Sequence, residues 1–160
     1  MAANTAQHSP GRLALRTILV AGLVAGTLDL AAACIASTLR GGSSVGVFHA
    51  IASGVLGAAA FKGGAATAAL GIFLHFVIAT TAAALFYAAS RRWTFLTRYA
   101  VVSGLAYGIP VYLFMNQVVL PLSRISFKVA RAPANIAIGL LIIMFCVGLP
   151  IALVVRRYAR

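Results

Sequence analysis

The stretch TILVAGLVAGTLDLAAACIASTL, residues 17–39, lies between Arg16 and Arg40 and decides the fold class. Its 23 residues, rising about 1.5 Å each in a helix, are enough to cross a hydrocarbon core of about 30 Å. Only Asp29 interrupts the apolar run, and it is the sole acidic residue of the 160-residue chain. Outward from this block the pattern recurs. Residues 64–90 form a second apolar run with His75 inside, stopped by Arg91 and Arg92. Residues 99–122 form a third, with Pro110 inside and Pro121 near its end. Residues 133–155 form a fourth, with Pro150 near its end and Arg156 and Arg157 behind it. Residues 1–11 are polar and small and read as a disordered cytoplasmic tail, which leaves 12–160 as one polytopic membrane domain.

Composition agrees with this reading. The chain is 62% hydrophobic and 9% charged, with a mean hydropathy of +1.03. A soluble domain carries about 25% charge, and a disordered chain needs low hydrophobicity, so both classes are excluded. The net charge of +12 invites a nucleic-acid reading. However, the basic residues mark the ends of apolar blocks rather than one exposed face, which is how charges anchor helix ends at anionic headgroups. The expected partner is the lipid bilayer, with a second copy or another membrane protein beside it, and no nucleic acid. Cys34 and Cys146 both lie inside apolar blocks and read as small buried residues, not a disulfide framework. Ala31-Ala32-Ala33-Cys34 loosely resembles the end of a lipoprotein signal peptide, but Asp29 upstream argues for a retained anchor.

Residues 45–61 are apolar but short for a span, and glycines bracket them: Gly41 and Gly42 before, Gly46 at the start, Gly63 and Gly64 after. They read as a re-entrant or interfacial helix. Charge counting favours the same choice. With four spans, eight basic residues fall on the side of both termini and five on the other; with five spans the split is six against seven, which orients nothing. The expectation is an all-α membrane protein of four transmembrane helices plus one short re-entrant or interfacial helix, multi-pass in a bacterial inner membrane, with both termini cytoplasmic. Arg16, Gly22 and Gly26 recur at an offset of 82 as Arg98, Gly104 and Gly108, a pattern of two helical pairs in parallel repeat.

Gly22 and Gly26 form a GxxxG step, as do Gly104 and Gly108, and small residues at this spacing let helices approach closely in lipid. Asp29 lies three and seven residues beyond the first pair, on the same face. Tyr112 follows Gly108 by four and Asn116 comes four later. By helical rise Asp29 is roughly 18 Å past Thr17, His75 roughly 16 Å past Gly64 and Tyr112 roughly 20 Å past Tyr99, all near the midplane. An ionised carboxylate there costs at least about 2.5–3.5 kcal/mol, so Asp29 needs a partner, a water-filled cavity or a proton. Asp29, His75, Tyr112 and Asn116 are therefore the candidate intramembrane cluster for a proton or substrate, and His49 of the short segment is a candidate gate. The same residues also serve as a polar cluster that fixes helix packing.

Other chemistries lack their residues. There is no second carboxylate for acid–base pairing or a metal site, no Gly-Lys-Ser/Thr phosphate loop, and Ser53 lacks the context of a nucleophile elbow. No metal, no cofactor and no enzymatic activity are expected. The stretches AGLVAGTLD (21–29), IASGVLG (51–57), GGAATAALG (63–71) leading to His75, and YLFMN (112–116) running to Pro121-Leu-Ser123 resemble a group of small bacterial inner-membrane proteins of unknown function. More distantly, the third span is similar to YagU-like membrane proteins. The resemblance covers roughly residues 12–156, implies a bacterial polytopic protein and supplies no activity. The expectation is a membrane protein that is a small proton-coupled transporter or channel, or alternatively an accessory subunit packing through its GxxxG faces.

Overall fold

A computed structural model describes residues 10–124 and 133–158; Lys128, Arg131 and Arg160 lie outside them. The described residues are helical throughout, joined by short turns and without a strand. Helix α1 is Pro10–Leu39, α2 is Ser44–Leu56 with a 3-10 extension Gly57–Lys62, and α3 is Gly64–Arg92. A single turn, α4 (Phe95–Arg98), precedes α5 (Ala100–Leu122) and α6 (Pro133–Tyr158). Among the described residues, five helices, including Ser44–Lys62, are long and apolar enough to cross a membrane. Pro10 and Gly11, expected in the tail, begin α1 instead, because proline's fixed φ suits a first helical turn that needs no N–H partner.

Local chemistry sets the ends. α1 stops where Gly41 turns to φ +80°. The Gly42 N–H then donates to Ser37 O (2.9 Å) and the Gly41 N–H to Thr38 O (3.0 Å), closing carbonyls that would otherwise be orphaned. Ser43 opens α2 by accepting the Gly46 N–H at 3.0 Å. Two wide π stretches interrupt the later helices, Met115–Val119 in α5 and Ile143–Gly148 in α6. Each ends two residues before a proline, Pro121 or Pro150. A proline ring collides with the carbonyl four residues back, and widening the preceding turn relieves that collision. The Leu120 N–H reaches back to Met115 O and the Leu149 N–H to Met144 O, both five residues away.

The helices pair through glycines. An added Cβ on Gly22 would sit 2.7 Å from Thr80 Cα, and one on Gly26 would sit 2.8 Å from the Phe76 ring, so α1 packs on α3 through its GxxxG step. One on Gly104 would sit 2.8 Å from Gly148 O, and one on Gly108 2.5 Å from Met144 Cα, so α5 packs on α6 the same way. Both pairs are antiparallel, which brings residues 10–16, 91–98 and 156–158 to one end of the bundle, where the Arg16 guanidinium lies over the Tyr158 ring at 5.6 Å. Next to this end lies the core: Ala21, Ala25, Ala83, Phe86, Ala100, Val147, Ile151, Ala152 and Val155. Helix α2 belongs to the other end. Its Phe48 carbonyl presses on Gly71, Thr67 donates to Ala60 O at 2.8 Å, and the Arg124 N–H donates to Gly54 O at 2.9 Å.

Candidate functional site

Asp29 and His75 face each other across the α1–α3 contact, with Asp29 Oδ2 4.0 Å from His75 Nε2. That nitrogen is also 2.9 Å from the Gly26 carbonyl. A carbonyl only accepts, so Nε2 carries a hydrogen and donates it to Gly26 O. The glycine that lets the helices meet also bares the carbonyl that holds the histidine. At 4.0 Å the carboxylate is beyond hydrogen-bond length, a loose electrostatic neighbour and not a locked ion pair. His75 packs edge-on against Phe76, with ring centroids 5.6 Å apart.

On its other side Asp29 lines an open cleft of about 460 Å³ between α1, α2, α5 and α6. Asp29, Ala33, Ala36, Ser37 and Arg40 form one stripe of α1, at offsets of 4, 7, 8 and 11 residues that share a helix face. Val47 of α2, Tyr112 of α5, and Gly139, Ile142 and Ile143 of α6 complete the walls. The Tyr112 ring rests over Gly139, where an added Cβ would come within 3.2 Å of it. The cleft therefore runs from a half-buried carboxylate at mid-depth to a guanidinium at the end of α1. Ile143, in one wall, also packs against the buried core.

The remaining expected residues go elsewhere. Asn116 donates its amide to Tyr112 O at 2.9 Å within its own helix and is not among the cleft-lining residues. His49 is held to Gly64 O at 2.9 Å and stands edge-on to Phe61, so it pins α2 over the start of α3 rather than facing Asp29. Gly22, Gly26, Gly104 and Gly108 are all helix contacts within the chain. Among the described residues no three His, Cys, Asp or Glu side chains converge as metal ligands would. Sequence reasoning missed Arg40 as a cleft residue, having read it as an end marker. The stripe of helical spacings from Asp29 to Arg40 carried the signal. Gly139 and Gly148 were also missed, because their need for smallness comes from a neighbouring helix.

No protein-family model matches the chain, and neither curated proteins nor solved structures show significant similarity to it. The fold and site define its class on their own: an all-helical protein of several long apolar helices, consistent with a multi-pass membrane protein, with its one acidic side chain lining an open cleft.

Proposed function

We propose that this chain is a small bacterial inner-membrane transporter or channel in which Asp29 takes up and releases a proton or cation. The observation that carries the reading is the cleft joining Asp29 to the bundle end at Arg40. A buried polar packing cluster needs no route to a surface; a group that exchanges protons does. His75, whose ring hydrogen is held by Gly26 O, sits behind the carboxylate as a counter-group. Four spans with α2 as a re-entrant or interfacial helix fit best. The contacts of α2 with α3 and with the end of α5 described above fall at residues 64–71 and at Arg124, at the end where α1 stops. With both termini cytoplasmic, as the basic residues favour, the cleft opens outward. Four spans enclose little aqueous volume, so a complete pathway forms between copies of the chain.

The test is proton uptake after a pH jump in liposomes, comparing the parent with Asp29→Asn. Uptake in the parent that is lost in a stably folded Asp29→Asn protein supports the reading. Equal uptake in both overturns it. Reporters placed at Gly42 and Lys62 report the topology: the same face for four spans, opposite faces for five.

A second reading, an accessory subunit of a larger membrane complex, is favoured by the long exposed apolar faces of Leu19, Leu23 and Ile35. Both GxxxG steps are occupied within the chain, so such a partner would dock elsewhere. Co-purification of one stoichiometric membrane protein would support it.

A further inference from the structure

Helices α3 and α5 meet at Tyr107, whose hydroxyl donates to Ala82 O at 2.9 Å and whose ring stands against Phe86 with centroids 5.0 Å apart. Around that contact they splay, leaving a groove of about 490 Å³ lined by residues such as Ile78, Leu85, Ala89, Pro110, Phe114 and Val119. Its two hydroxyls are already satisfied, Tyr107 on Ala82 O and Thr81 on Val77 O. The walls therefore offer hydrocarbon and no free donor, and the groove suits an apolar chain.

The rim above Ala89 is different. Beyond Ala89 the helix face continues to Arg92, and Arg91 and Arg98 are exposed at the same end of the bundle, as are the aromatic side chains of Trp93 and Tyr99. The Arg98 guanidinium lies over the Tyr99 ring at 5.6 Å. The sole acid of the chain is Asp29, at mid-depth beside His75, so no carboxylate side chain of this protein pairs with these three cations. Their counter-charge comes from outside. Ala89 is about 4.5 Å along the helix from Arg92, so a headgroup held by the arginines leaves its tail at the mouth of the groove.

We propose that the α3–α5 groove holds one acyl chain of an anionic phospholipid whose phosphate is bound by Arg91, Arg92 and Arg98. A helix from a second copy fits less well. A helix about 10 Å across occupies on the order of 1,200 Å³ over 15 Å of its length, well above the groove's volume. A second copy would also bring its own surplus of positive charge. This inference needs the membrane reading but is independent of any role for Asp29.

Trp93 is the only tryptophan and stands at the rim, so it reports occupancy directly. The full-length protein is reconstituted with phosphatidylcholine, and its fluorescence is titrated with acyl-brominated phosphatidylglycerol or acyl-brominated phosphatidylcholine. Saturable quenching is expected, with phosphatidylglycerol preferred by about tenfold or more, since each arginine near an anionic surface adds appreciable affinity. The R91Q/R92Q/R98Q variant should lose that preference, and Ala89→Phe, which fills the groove, should abolish saturation for both lipids. Ala89→Leu serves as a milder filler, and helix content checks that each variant is folded. Equal quenching by the two lipids in the parent overturns the proposal. So does a preference unchanged in Ala89→Phe and Ala89→Leu, which would indicate general surface attraction. Cross-linking of Ala89→Cys between copies, without saturable quenching of the parent, would assign the groove to a second copy.

Discussion

The two ends of the bundle are built from similar Ala-, Gly- and Leu-rich helices yet pack in opposite ways. At the end holding Arg16, Arg98 and Arg156, residues of α1, α3, α5 and α6 converge on Phe86, Ile151 and Val155, all essentially without solvent exposure. At the other end α1, α5 and α6 separate around Asp29, Tyr112 and Gly139 while α3 stays packed on α1, and α2 fills only part of the gap. Apolar composition alone does not decide between a plug and a cleft. The placement of glycines does: Gly104 and Gly148 draw α5 and α6 together at one end, and the Tyr112 ring resting on Gly139 occupies the space at the other.

The contrast can be broken at its tightest point. Gly104→Leu places a side chain against Gly148 O and Leu149 Cα at 2.8 and 2.9 Å, both backbone, so the helices must part. Overpacking of this kind should cost about 3 kcal/mol or more, read as lost monodisperse protein. Gly11→Leu, with open space around it, should be neutral. A smaller effect compares the two ends directly. Phe86→Ala should lose about 2–3 kcal/mol in reversible unfolding, below the 3–5 kcal/mol usual in water because the ring exchanges protein for lipid. Ile142→Ala, on the cleft wall, should lose less than about 1 kcal/mol. Equal losses would mean that the cleft closes in the membrane. The smallest effect is at the boundary between the two regions. His75→Phe removes the bond to Gly26 O and should cost about 0.6 kcal/mol, the usual worth of an interhelical hydrogen bond in a bilayer.

Much of the fold is legible in the chain. Each apolar block between basic residues is helical, and the GxxxG steps, readable as close-approach sites, are where α1 meets α3 and α5 meets α6. Relative level was also legible, since helical rise alone put Asp29 and His75 side by side. Direction around each helix was not. Asn116 and Tyr112 are one turn apart, yet one bonds its own backbone and the other lines the cleft, because a π stretch begins at Met115 and alters the turn between them. Pro121 and Pro150 were the visible signs of those stretches. A proline, however, shows only that a helix must adjust, and whether it kinks or widens depends on its neighbours.

The packed end also shapes the electric field. In the proposed transporter, water in the cleft would carry the potential of that side to Asp29, and the transmembrane voltage would fall mainly across the packed end formed by Phe86, Ile151 and Val155. A proton reaching Asp29 from the cleft then crosses little of the field. In the proposed transporter, one passing on from Asp29 along the path between copies would cross nearly all of it, about 2.3 kcal/mol per 100 mV for each elementary charge. One-sided packing would thus make the first of these proposed steps nearly indifferent to membrane voltage and the second steeply dependent on it.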